Sequence, residues 1–247
     1  MNLSVFDTPE DLGRHAAQRA AGILSEAVRE QGRARLVLST GASQFETLSH
    51  LARAEVDWSR VEMFHLDEYM HLPAAHPASF RRYLNERFIR LVSPGSVHLI
   101  DTEEDIPALL ARLSREIREH PVDLAIIGIG ENAHIAFNDP PADFDTQEAY
   151  IVVGLDEDCK RQQVGEGWFP AVAAVPEHAV TMSVSQILLS RRILSPVPHP
   201  VKARAVRAAL HSPVGPNVPA SALRRHPRWE LFLDRGSASL IQPPAAK

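Results

Sequence analysis

The feature that most constrains this chain is an alternation of short apolar runs with amphipathic segments along nearly its whole length. The clearest run is 122–130, Val-Asp-Leu-Ala-Ile-Ile-Gly-Ile-Gly. It is almost continuously apolar, the character of a strand covered on both faces, as in a parallel sheet packed between helices. Residues 3–6, 36–38, 61–66, 97–100, 150–153, 179–182, 192–194 and 229–233 read as further strands. Between them, Thr8 can cap a helix that opens on Pro9 and carries Asp11 at its third position. Leu12, Ala16, Ala20, Ile23, Leu24 and Ala27 keep helical spacing as far as about Gly32. Helices are also expected around Phe45, Leu48 and Leu51, and over 78–91, 106–117 and 201–210. The chain has no internal repeat, low-complexity block or composition break. This order predicts a single α/β/α domain over 1–247 with a mostly parallel sheet. The tail 242–247 is expected to fray.

Composition excludes several classes. Hydrophobic residues make up 45% of the 247, enough for a sizeable core and too many for a disordered chain. The 26 Lys and Arg against 31 Asp and Glu leave a net charge of −5, so neither nucleic acid nor an anionic membrane is expected as the main partner. The single cysteine, Cys159, can form neither an internal disulfide nor a multi-thiolate metal site, which points to the cytoplasm. The first residues carry Asp7, Glu10 and Asp11 without an apolar core, so no signal peptide is expected. No apolar run approaches the roughly 20 residues of a membrane helix.

Open parallel sheets bind ligands beyond the carboxyl ends of their strands. Three such ends carry chemistry. Thr40-Gly41-Ala42-Ser43 is a small-residue turn before a helix, able to hold an anion on backbone N–H groups, or to be an ordinary turn. It matches neither GxxxxGK[ST] nor GxGxxG, so it gives no support to a nucleotide site. Asp67 follows an apolar run and could be tuned as a base by partial desolvation, or could cap the next element. Glu68 and Tyr69 beside it read equally as structural. Asn132, His134 and Asp139 follow the glycines 128 and 130, and a histidine among hydrogen-bonding groups suits proton transfer at a sugar carbon. His71 and His76 lack any metal-binding pattern, and no metal is expected. Arg191, Arg192, Arg204 and Arg207 read as solvated faces, while Lys202 stands out for opening a helix after Pro200. Trp168 and Phe169 suit either core or a hydrophobic lid.

In combination, Ser39-Thr40-Gly41, the segment Phe64-His65-Leu66-Asp67-Glu68-Tyr69 and the run from Gly128 to Pro140 resemble the glucosamine-6-phosphate deaminase family. The residues 179–182 and 199–203 extend the resemblance over nearly the whole chain. It implies a Rossmann-like three-layer α/β/α sandwich, a fold shared with 6-phosphogluconolactonases. Ile-Ala-Phe-Asn-Asp-Pro after His134, where lactonases tend to have Ala-Ser-Leu-Phe-Pro-Gly, favours the deaminase branch. The resemblance implies that the turn Thr40, Gly41, Ala42 and Ser43 binds a sugar phosphate together with Lys202. It further implies that His134 assists ring opening, that Asp67 shuttles a proton between C2 and C1, and that a lid lies around 156–175. No cofactor is implied, because the amino and carbonyl groups of the substrate provide the electron path. A homo-oligomer is left open.

The sequence departs from that pattern at three places. Asn132-Ala133-His134 replaces the usual Asp-Gly-His, Asp139 replaces Glu, and the phosphate-binding arginine near positions 166 and 167 is missing. Asn132 can still hydrogen-bond but carries no charge. Arg161 is the candidate to compensate for the missing arginine. Two alternatives stay open at this point. One is hydrolysis of a sugar-phosphate lactone by a water activated at His134, and the other is a non-catalytic sugar-phosphate sensor.

Overall fold

The computed structural model describes residues 1–241. In chain order the strands are β1 (Asn2–Phe6), β2 (Ala34–Leu38), β3 (Val61–His65), β4 (Asp67–Tyr69), β5 (Ser96–His98), β6 (Leu124–Ile126), β7 (Tyr150–Gly154), β8 (His178–Met182), β9 (Ile193–Val197) and β10 (Trp229–Asp234). Seven of them form one sheet in the order β1-β10-β9-β6-β2-β3-β5, with every neighbouring pair parallel. The other three form an antiparallel sheet, β4-β8-β7.

The helices are α1 (Pro9–Gln31), α2 (Phe45–Leu51), α3 (Phe80–Leu84), α4 (Arg90–Val92), α5 (Ile106–Arg118), α6 (Glu157–Gly165), α7 (Val184–Leu188) and α8 (Ala203–His211). Helix α1 forms as its ends dictate: the Thr8 side chain accepts from the Asp11 N–H at 3.1 Å, and Gly32 closes the helix at φ 75°. All five residues of β2 are buried. Leu36 and Leu38 pack with α1 and α2 on one face of the sheet, while Val37 joins residues of α5, α7 and α8 on the other. Covering both faces removes the need for alternation, which is why the central strands read as unbroken apolar runs. Among the described residues, no helix is long and apolar enough to cross a membrane.

The structure departs from the sequence reading in four places. The run 61–66 does not continue into Asp67: β3 ends at His65, and Asp67 opens β4, paired with Thr181 in the second sheet. The strand expected over 122–130 is only Leu124–Ile126. Ile127 N–H still donates to Leu194 at 2.9 Å, but beyond it Gly130 N–H turns back to the His134 carbonyl at 3.0 Å and the chain leaves the ladder. The helix expected over 78–91 is interrupted by a π-helical turn, Asn85–Ile89, between α3 and α4. The first part of the expected lid, for which the sequence suggested no element, is helical, as α6. The tail 242–247, expected to fray, lies outside the described residues.

One polar cluster is built into the sheet. Arg35 on β2 is buried, donates to Glu62 Oε2 at 2.6 Å and to the Ile117 carbonyl at 2.9 Å, and lies 4.6 Å over the Phe64 ring. His98 bridges two carboxylates, with Nε2 2.9 Å from Glu62 and Nδ1 2.8 Å from Glu116.

Candidate active site

Four strands of the parallel sheet deliver their carboxyl ends to one pocket. The turn after β2 contributes Ser39, Thr40, Gly41 and Ser43. The link from β3 to β4 contributes Leu66 and Asp67, and the segment after β6 contributes Gly128, Gly130 and His134. Lys202 arrives from the end of β9. The remaining side is closed by α6 and the residue after it, through Gln162, Gln163 and Glu166.

Gly41 adopts φ 97°, a conformation that favours glycine, and its carbonyl accepts the Tyr83 hydroxyl at 3.0 Å. The buried Ser39 hydroxyl beside it has no protein partner. Ala42 starts the short 3₁₀ turn Ala42–Gln44 that leads into α2. It stands behind the lining and not in it.

Asp67 is 5% exposed and its Oδ1 is buried without a hydrogen-bond partner. Burial pushes its carboxyl well above the ordinary value, and the neighbouring Glu68 charge adds to this. Glu68 itself is fully buried and satisfied. Its Oε1 accepts from the N–H of Tyr69 at 2.9 Å and of Phe80 at 3.1 Å; its Oε2 accepts from Ser79 Oγ at 2.9 Å and Arg81 N–H at 2.8 Å. Glu68 therefore ties the start of α3 to β4, a structural duty that fixes the strand on which Asp67 sits.

His134 is held from two sides. Its backbone N–H donates to Asn132 Oδ1 at 3.0 Å, and its Nδ1 stands 3.0 Å from Asp139 Oδ1, close enough for charge pairing though not aligned as a linear hydrogen bond. Burial alone would raise the Asp139 carboxyl. The contacts from His134, Asn132 Nδ2 and the Asp156 N–H outweigh burial and hold it below the usual carboxylate value. Asn132 Nδ2 also donates to Asp156 Oδ2 at 3.1 Å. The charge absent at Asn132 thus has a counterpart in Asp156, which the sequence reading had only as the first residue of the expected lid.

Lys202 is 3% exposed in the short 3₁₀ turn Pro200–Lys202. Its approach is set by Asp234 at the end of β10, whose carboxylate accepts the His199 N–H at 3.2 Å. Burial lowers the ammonium pKa, while the charges of Glu166 and Glu131 act in the opposite sense. Arg161 is not brought to the pocket. It lies on the outer face of α6, exposed, with Nη2 2.5 Å from Asp158 Oδ1, its partner one turn earlier.

A lid was expected around 156–175, but the sequence reading did not single out Gln162, Gln163 and Glu166 as the residues that reach the pocket. Cys159, Gln163 and Glu166 recur at helical spacing, and the first two are buried. Polar side chains on the buried stripe of a helix were the available signal. A ring nitrogen of His134, an Asp139 carboxylate oxygen and Cys159 Sγ lie within 4.8 Å of one another, the one group of three or more possible metal ligands among the described residues. Burial, reinforced by the nearby carboxylates, pushes the Cys159 thiol up, so it stands there as a neutral thiol and a poor ligand.

Over residues 7–231 the sequence matches the family described as glucosamine-6-phosphate isomerases/6-phosphogluconolactonase. A glucosamine-6-phosphate deaminase of Lactobacillus delbrueckii subsp. bulgaricus is 31% identical over 98% of this chain and 100% of its own length. One from Listeria monocytogenes is 33% identical over 83% of this chain and 87% of its own. The solved structure of a monomeric glucosamine-6-phosphate deaminase superposes with a TM-score of 0.89 at 30% identity, covering 97% of this chain and 100% of that one. A 6-phosphogluconolactonase from Shewanella baltica superposes at 0.78 with 23% identity over 95% and 97% of the two chains, a likeness of fold. On sequence and architecture together, this chain belongs to the glucosamine-6-phosphate isomerase/6-phosphogluconolactonase family.

Proposed function

We propose that the chain is an isomerising deaminase that converts glucosamine 6-phosphate, or a close amino-sugar phosphate, with water to fructose 6-phosphate and ammonia. The observation that carries this reading is Asp67, a buried carboxyl with an unpartnered oxygen in the same pocket as the His134–Asp139 pair. Relatives named glucosamine-6-phosphate deaminase, matching nearly the full chain, support it.

In this scheme His134 moves a proton at the ring oxygen and opens the sugar. Its Nδ1 is turned to Asp139, leaving Nε2 for the substrate, and the ionised Asp139 stabilises the imidazolium. Asp67 then removes the proton at C2 of the open-chain aldehyde. Burial makes it a stronger base than an exposed aspartate, closer to the operating pH. The electron pair from the C2–H bond passes to C1 and the carbonyl oxygen, giving an enolamine. Return of the proton to C1, with an amine proton passing to the C1 oxygen, gives a C2 imine bearing a C1 hydroxyl, and water replaces ammonia at C2. The amine and carbonyl of the substrate carry the electrons, so the scheme calls on no cofactor.

Thr40, Gly41, Ser43 and Lys202 receive the far end of the sugar, and Asn132 acts by positioning His134 and Asp139. We assign the lid to residues 156–175, whose α6 faces the pocket, within a single domain. A cytoplasmic location accords with the single, buried, free Cys159.

Ammonia release from glucosamine 6-phosphate tests the reading directly, with 6-phosphogluconolactone assayed beside it. Asp67→Asn is expected to lower kcat by roughly a thousandfold, within the range of a lost general base. An Asp67→Asn variant as active as the parent would sink the mechanism, and turnover of the lactone alone would sink the deaminase reading.

A further inference from the structure

The end of the pocket assigned to the phosphate carries a negative charge of its own. Lys202 is the only lysine or arginine among the described residues that line the cavity. Facing the same turn is Glu166, so close that a Cβ built on Gly41 would lie 3.8 Å from its Oε2. The carboxylate is held there. Oε1 accepts from Gln162 Nε2 at 2.8 Å and Oε2 from Trp168 Nε1 at 3.0 Å. The Trp168 ring in turn packs edge-on against Phe45 and Tyr83, whose hydroxyl binds the Gly41 carbonyl.

Both donors to Glu166 are neutral, so neither cancels its charge. The charge acts instead on the Lys202 ammonium. One cation and one fixed anion leave this end of the pocket close to neutral. An arriving dianion meets Lys202 and Glu166 together, and like charges in a partly desolvated site repel more strongly than in water. A terminal hydroxymethyl group meets hydroxyls, backbone N–H groups and both members of the pair as hydrogen-bond partners, without that repulsion.

We propose that Glu166 is a specificity-determining residue that weakens the hold on a phosphate dianion beside Lys202 and lets an unphosphorylated amino sugar compete as substrate. Rejection through a placed like charge is a general route to discrimination between ligands that share most of their contacts. The choice between the two sugars rests on the deaminase reading. The charge effect does not, and it can be measured without turnover.

Glu166→Gln keeps the shape of the side chain and removes its charge. Calorimetry with inorganic phosphate, at fixed ionic strength and a pH where it is a dianion, is expected to show at least about tenfold tighter binding in the variant. The ratio of kcat/KM for glucosamine 6-phosphate to that for glucosamine is expected to rise by a similar factor, through a lower KM for the phosphorylated sugar. Phosphate affinity unchanged within about twofold, or weaker, in a variant that melts like the parent would overturn the proposal. Should Glu166→Gln fail to fold, Glu166→Ala is judged by the same phosphate measurement. Absence of turnover with every amino sugar would count against the deaminase reading alone, and the phosphate arm would still decide the role of Glu166.

Discussion

The imidazole of His134 lies directly over Gly130, so that a Cβ at that glycine would come within 2.2 Å of the ring. The chain turns back at this point through the bond from Gly130 N–H to the His134 carbonyl, which makes the contact a product of the local fold. Gly130→Ala must displace the ring or the strand end. A misplacement of about 1 Å at a reacting group costs about a hundredfold in rate. Gly130→Ala is therefore expected to lower kcat by at least about that factor, with steady-state kinetics and a melting curve of the same preparation as the check.

Asp67 makes stability depend on pH. Its folded pKa is raised above its unfolded value, so the folded chain retains a proton that the unfolded chain gives up. Stability from this group is present below the unfolded aspartate pKa, about 3.9, and is lost as pH rises from there toward the folded value. Asp67→Asn cannot ionise. Its gain in Tm over the parent is expected to be larger at neutral pH than near pH 4, read from thermal melts across that interval. An equal shift at both pH values would contradict the assigned burial cost.

His98 depends on pH in the same sense as Asp67 but over a higher range. The Glu62 hydrogen bond raises its pKa against the cost of burial, and Glu116 adds to this. Its contribution is full below the unfolded histidine pKa, about 6.5, and disappears as pH rises through the raised folded value. Burial would raise the Glu62 carboxyl, but His98 and Arg35 outweigh it and bring it down to about 2, so its contribution is lost as pH falls from the unfolded glutamate value, about 4.3, through about 2. His98→Gln should flatten the loss of stability above neutral pH, measurable by urea titration at pH 6 and pH 8.

Asn132→Asp introduces the residue that the family resemblance leads one to expect there and is nonetheless expected to destabilise this chain. The Asn132 amide donates to Asp139 and to Asp156, so an aspartate there would face two carboxylates with no proton between them. A cost of about 1–3 kcal/mol, the range for stranded buried polar groups, should appear in denaturant titration. The double variant Asn132→Asp with Asp156→Asn returns one donor and should recover most of the loss.

What the sequence made legible was local. The start of α1 could be placed because Thr8, Pro9 and Asp11 act on one another within a single turn, and the central strands because burial on both faces leaves unbroken apolar runs. The antiparallel sheet was not legible. Asp67–Tyr69 is three residues long, and its pairing with His178–Met182 is settled by contacts more than a hundred positions away. The same distinction runs through the site. Thr40, Asp67, His134 and Lys202 could be located from strand ends and motif, whereas Asp156 and Glu166 take their meaning from neighbours that only the folded chain supplies. Arg161 shows the converse: a plausible charge that α6 turns outward to Asp158.

The pairing of β1 with β10 joins the first strand of the described residues to the last. As the polypeptide leaves the ribosome, β1 and α1 emerge early, but the seat of β1 does not exist until Trp229–Asp234 has been made. The same late strand carries Asp234, which orients the turn bearing Lys202. Until β10 has been made, the nascent chain has an open edge at β9 and an unclaimed strand in β1, the exposure that draws chaperones to slow-forming parallel sheets. Completion of the edge and assembly of the substrate pocket are then one event, so a polypeptide released early carries neither.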